Sequence, residues 1–202
     1  KARSKGPPPA KLAEVFDVRR FPGARALPRS PRYLFELALM ADGVAPGDVY
    51  RMLGEEDGVK RAIGKLRTLG TSIVWWRSAG EAIQLLRERK AVAGLAFSGR
   101  AFQEFALSPS FATLWDGQIY EFNYWAVPKG GANIAAAREF VAFAVAPERL
   151  AATARQFPYG PARRSALALV GRHAVLGIDL SPHLPTSPQN LASALQFDAV
   201  WW

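Results

Sequence analysis

Two short stretches of this 202-residue chain carry residue types suited to holding a small molecule. Trp75-Trp76 closes an apolar, β-rich run immediately before a helix that Ser78 caps. Phe97-Ser98-Gly99-Arg100 does the same one unit later. In a parallel α/β sheet the carboxyl ends of the strands face the ligand crevice, and each following helix offers unpaired N–H groups. Flat aromatics together with Ser78, Ser98, Gly99 and Arg100 at two such ends would build a small-molecule site. One of two consecutive strand side chains must face the core. We assign Trp75 to the core and leave both places open to Trp76 and Phe97.

Other chemistries are poorly supplied. There is no cysteine, which removes thiolate catalysis, thiolate metal sites and disulfides. His173 and His183 lie in a loop-rich stretch without neighbouring ligands and read as surface residues. Gly130-Gly131 lacks the later glycine and lysine of a phosphate loop. The acidic GEEDG run, Gly54 to Gly58, lacks calcium-loop spacing and reads as a helix N-terminus. No metal or cofactor is expected. The formal charge of +9 suggests anionic surroundings or partners. The cations are scattered, however, where a nucleic-acid stripe would cluster them on one face. No run of about eighteen apolar residues is present, so no direct membrane insertion is expected.

The elements that must position these residues follow from periodicity. Helices are expected at Leu12 to Asp17, Pro31 to Asp42, Asp48 to Leu53 and Glu56 to Leu69, with a short strand at Arg25 to Leu27. Strand 71–76, helix 78–90, strand 91–97 and helix 98–106 alternate, which implies a parallel sheet covered by helices. The pattern then changes. Phe111 to Trp115 and Gln118 to Val127 are strand-like around Asp116-Gly117. Ala135 to Ala146 and Pro147 to Gln156 form a helix pair, Arg163 to Val170 is helical, 171–188 is mostly loop, and a last helix starts over Leu191 to Leu195. The first nine residues read as an extended approach. The large apolar end at Trp201-Trp202 has nothing after it to cover it, so the chain reads as a piece of something longer, without a signal peptide of its own.

Six motifs in order over residues 12–202 then resemble the periplasmic solute-binding proteins of ABC importers, of the spermidine/putrescine type. They are Asp17-Val-Arg-Arg-Phe-Pro-Gly23, Ala38-Leu-Met-Ala-Asp-Gly-Val44, Ser72-Ile-Val-Trp-Trp76, Trp115-Asp-Gly-Gln-Ile-Tyr120, Tyr124-Trp-Ala-Val-Pro-Lys-Gly130 and Pro158-Tyr-Gly-Pro161. The resemblance implies a type II periplasmic-binding-protein fold, two α/β lobes joined by crossing strands, of which this chain holds the second lobe and part of the first. Residues 1–11 would be an extended lead. Residues 12–115 would form the second lobe, 116–157 would return to the first, and 158–202 would run back to the second.

The same resemblance implies capture of a small polar solute in an interlobe cleft, delivery to a membrane permease, a periplasmic location and no enzymatic activity. It places ligand contacts at Phe97, Ser98, Arg100, Glu121, Asn123, Tyr159 and Gln196. Where polyamine binders carry acids, this chain has Arg29, Ser30 and Tyr33, and Asn123 replaces the key aspartate. A buried ammonium needs a carboxylate partner, whereas Arg29, Arg32 and Arg100 favour a carboxylate-bearing or amino-acid-like solute. Three rivals stand beside this reading. One is a fragment that binds nothing, another an enzyme on the same lobes using Glu121, and the third a basic nucleic-acid-binding module.

Overall fold

The computed structural model describes residues 7–202; of the extended lead expected at 1–11, residues 1–6 lie outside the described residues. The elements in chain order are α1 (Leu12–Val15), β1 (Arg25–Pro28), α2 (Leu34–Ala41), α3 (Val49–Leu53), α4 (Glu56–Arg67), β2 (Ile73–Trp76), α5 (Ala79–Arg87), β3 (Ala93–Gly94), α6 (Ser98–Phe105), β4 (Ile119–Tyr120), α7 (Ile134–Ala144), α8 (Pro147–Gln156), α9 (Arg164–Val170), α10 (Pro188–Leu191) and β5 (Leu195–Gln196). They form two compact units. The first holds the described residues up to Tyr120 together with Ala192–Trp202, and the second is Glu121–Leu191.

The first unit is built on a parallel sheet in the order β2-β1-β3. All four residues of β1 are buried. Alternation sends Leu27 into a cluster with Leu37, Ala38, Leu39, Val49 and Ala62 from α2, α3 and α4, while Ala26 joins Trp76, Ala82, Leu86 and Ala91 on the other face. Helices therefore cover both faces, as the alternating pattern implied. Gly94 carries no side chain because a Cβ there would run into the Ala26 carbonyl. Gly58 likewise lets the start of α4 sit against the Met52 carbonyl.

The Asp17-to-Gly23 motif has a structural explanation. The Arg25 side chain is buried, and its guanidinium donates to the carbonyls of Val15 at 2.6 Å, Gly23 at 2.5 Å and Phe21 at 2.7 Å. The loop is wound around one cation, whose five fixed donors suit several carbonyls at once. Asp17 caps the turn by accepting from the amides of Arg19 and Arg20 at 3.0 Å each.

Three expectations are corrected here. Residues 111–115 are not a strand: the Phe111 ring stacks on Phe105 at 3.9 Å, so this segment is fixed by side-chain packing. The strand expected over 118–127 is only β4, because its partner is short. Ile119 and Tyr120 pair in parallel with Leu195 and Gln196, and the ladder ends where the Phe197 amide donates to the Tyr120 carbonyl. The last helix is not at 191–195; α10 ends at Leu191, and Leu195 is drawn into β5, where it is buried with the main core. Tertiary pairing overrides local propensity at that point.

In the second unit α8 and α9 pack through small side chains, Ala151 and Ala154 on one helix and Ala166 and Val170 on the other. The loop that follows is pinned by side chains. Asn190 donates its amide to the Leu184 carbonyl at 2.7 Å, Ser187 donates to the Ser181 carbonyl at 2.5 Å, and Leu180 and Leu184 are buried. His173 is half-buried and is part of this loop, its Nδ1 accepting from the amides of Val175 and Leu176. α7 contributes no buried residue; Phe140 meets the edge of Trp125 and Arg149 lies over Phe143 at 4.4 Å.

Candidate functional site

The candidate residues of the first unit sit where β1, β2, β3 and β5 end. β1 passes at Pro28 into Arg29, whose amide donates to the Trp76 carbonyl at 2.8 Å and so extends the β1–β2 pairing by one residue. The chain then turns through Ser30, which accepts from the Arg32 amide, and reaches Tyr33 at the start of α2. Tyr33 has φ of 65°, an uncommon conformation for a residue with a large side chain. It puts the Tyr33 ring between two other aromatics, Phe97 at 6.5 Å edge-on and Phe197 at 4.8 Å. Phe97 precedes α6 after β3, and Phe197 follows β5. Three separated segments thus build one aromatic wall.

Charge lies beside this wall. The Arg32 guanidinium is over the Phe197 ring at 4.9 Å. Arg29, Arg32 and Arg100 are exposed, and none has a carboxylate within ion-pair distance among the described residues. Arg20, Arg51, Arg61 and Arg87 are paired, while among the described residues Arg67, Arg77 and Arg89 lack a carboxylate partner as the three site arginines do. The α6 N-terminus has no side-chain cap, so the amides of Ser98, Gly99 and Arg100 remain available to an acceptor. At the next strand end, Gln196 accepts from the Tyr120 hydroxyl at 3.3 Å.

The phase assumed for strand β2 is inverted. Trp76, placed among the ligand contacts, is 7% exposed and packed in the core with Ala82 and Leu86, whereas Trp75, assigned to the core, is 47% exposed. A four-residue edge strand alternates strictly, but its sequence does not fix which parity faces inward. Ser78 is exposed, and its hydroxyl accepts from the Glu81 amide at 3.3 Å; its demonstrated role is the α5 cap. Phe97 is 46% exposed, so of the two aromatics left open it is the one that faces outward. Glu121, Asn123 and Tyr159 are exposed residues of the second unit. Among the described residues no group of three or more acids or histidines could hold a metal ion, and no helix is long and apolar enough to cross a membrane.

Two contributors were missed from the sequence. Phe197 is not among the contacts expected from the sequence, and no local signal relates it to Tyr33. Glu36 lies within the helix expected over Pro31 to Asp42, and nothing local marks it out. It is fully buried at the first turn of α2 and accepts from Trp202 Nε1 at 2.6 Å and the Tyr50 hydroxyl at 3.3 Å. Burial raises its pKa, against the opposing effect of those donors and of the Tyr33 amide. Burial also pushes the Tyr50 hydroxyl up, which keeps it a donor. The carboxylate therefore braces the turn that carries Tyr33.

A parallel sheet covered by helices on both faces defines an α/β protein, and here its strand ends carry an aromatic wall and unpaired cations. The chain belongs to the bacterial extracellular solute-binding proteins, whose family profile matches residues 1–175. It is 37% identical over 194 residues to the gamma-aminobutyric acid-binding protein of Pseudomonas aeruginosa, covering 96% of this chain and 53% of that protein. An ABC transporter substrate-binding protein from Bradyrhizobium japonicum USDA 110 superposes with a TM-score of 0.78 at 29% identity, over 98% of this chain and 59% of that one. The binding protein AgtB from A. tumefaciens R10, solved with agropinic acid, gives 0.71 at 30% identity, over 96% of this chain and 58% of that one. The fold is the type II periplasmic-binding-protein fold, and the chain spans little more than half the length of these relatives.

Proposed function

We propose that this chain captures a small amino-acid-like solute in the periplasm and hands it to the membrane permease of an ABC importer. It would do so as the second lobe and part of the first of a binding protein. The observation that carries the reading is the wall of Tyr33, Phe97 and Phe197 with Arg29, Arg32 and Arg100 unpaired at the carboxyl ends of parallel strands. Unpaired guanidinium groups attract a carboxylate and repel a polyamine. The similarity to a protein named for gamma-aminobutyric acid points the same way. Within the family, this favours an amino-acid-type ligand over the spermidine/putrescine type that the motifs resemble. Ser98, the α6 amides and Gln196 are the further candidate contacts of the first unit; Glu121, Asn123 and Tyr159 are candidates carried by the second unit on its own.

The test is thermal unfolding of the chain with gamma-aminobutyric acid and with spermidine. Ligand at about a hundred times its Kd adds roughly 2.7 kcal/mol, which for a chain of this size raises Tm by about 5–11 °C. A rise with the amino acid and none with spermidine is the expected result. A larger rise with spermidine would overturn the ligand class, and no rise with either would overturn solute capture by this chain.

A further inference from the structure

We infer that Arg32, held against the Phe197 ring, is the residue that selects for a carboxylate on the solute, and that Phe197 and Tyr33 are its positioning residues. The inference rests on the function proposed above and adds which of the three unpaired cations does the selecting.

Two observations separate Arg32 from Arg29 and Arg100. Its guanidinium alone among them lies over an aromatic ring, at 4.9 Å from the Phe197 centroid. An arginine side chain otherwise loses rotamer freedom on binding, and a stacked guanidinium has already lost part of it. The ring itself is fixed, since Phe197 is buried and its amide is the last donor of the β4–β5 ladder. The second observation is the conformation of Tyr33. A left-handed φ at a tyrosine is strained and persists only where surrounding contacts impose it. Here it delivers the Tyr33 ring onto Phe197, the ring over which its neighbour Arg32 also lies. Like Arg29 and Arg100, Arg32 is exposed and has no acidic partner among the described residues, so its fork is free for a bidentate acceptor.

Arg32 and its ring thus form a preset carboxylate fork at the foot of an aromatic wall. Phe97, edge-on to Tyr33 and half exposed, supplies a flat apolar surface beside it. A short aliphatic amino acid fits this chemistry, with its carboxylate on the fork and its methylenes along the rings.

Isothermal titration of the 202-residue chain with gamma-aminobutyric acid and with its primary amide, 4-aminobutanamide, tests this. Arg32→Met is expected to weaken the acid about ten- to a hundredfold and to leave the amide within about twofold, because only the acid uses the charged fork. Arg29→Met and Arg100→Met are expected to weaken the acid less than Arg32→Met. Phe197→Leu is expected to weaken the acid a few-fold, and Phe197→Tyr to restore it, which a loss of folding alone would not show. If the unaltered chain binds the acid and Arg32→Met binds it equally well, the inference is overturned and the proposed function stands. Equal loss of acid and amide also overturns it, since Arg32 would then be structural. If the unaltered chain binds neither compound, the proposed function falls and this inference with it.

Discussion

The Trp202 indole donates from Nε1 to the Glu36 carboxylate at 2.6 Å, joining residues 166 apart in sequence. Around this bond the end of the chain is closely held. Asp198 accepts from the amides of Val200 and Trp201, its own amide donates to the Tyr50 hydroxyl at 3.0 Å, and Trp201 packs on Tyr50 at 5.6 Å. The Trp-Trp end that looked uncovered in sequence is a latch on α2 and α3. Removing the donor leaves a buried carboxylate oxygen short of a partner, which costs about 1–3 kcal/mol. Trp202→Phe is expected to lower the unfolding free energy by that amount in urea titration. A change below a few tenths of a kcal/mol would show that the latch contributes nothing to the fold.

The same carboxylate makes stability depend on pH. Burial places the Glu36 pKa above that of an unfolded glutamate, about 4.3. A raised folded-state pKa contributes stability below the unfolded value that is lost as pH rises through the folded value. The wild-type chain should therefore lose stability relative to Glu36→Gln as the pH rises above the unfolded value of about 4.3. Urea unfolding of both at pH 4, 5.5 and 7 measures this, and a difference that stays flat across the series would refute the raised pKa.

Arg25 carries the N-terminal loop. Its guanidinium serves the carbonyls of Val15, Phe21 and Gly23, and lysine has neither the fork nor the number of donors to replace it. Arg25→Lys is expected to cost at least about 3 kcal/mol by leaving buried carbonyls unpaired, a fall in Tm of roughly 6–12 °C. Scanning calorimetry decides it; a fall under about 2 °C would mean that water or the lysine satisfies those carbonyls.

The architecture was readable because it depends on local repeats. Alternating apolar runs and helical spacing between residues 71 and 106 imply a parallel helix-covered sheet, and β2, β3, α5 and α6 follow that order. Ser78 caps α5 as its position before the helix demands. Glu56 and Asp57 occupy the first turn of α4, where acids complement the helix dipole. The helix pair at α7 and α8 breaks at Pro147, whose fixed φ suits a first helical position. The excess of unpaired arginine over acid at residues 29–33 was visible too, and with it the leaning toward a carboxylate-bearing solute.

What the sequence by itself determined is therefore the alternation of strands and helices between residues 71 and 106, the fold class, and the excess of arginine over acid at residues 29–33. Tertiary structure alone decided the inward face of the Trp75-Trp76 strand, the pairing of β4 with a strand 76 residues later, and the meeting of Tyr33, Phe97 and Phe197. The physical reason is the same in each case. Periodicity reports that a residue will be buried or extended, because that is a property of its neighbours along the chain. Which partner it meets is set by loop closure and packing among segments far apart in sequence, and no local pattern records that choice.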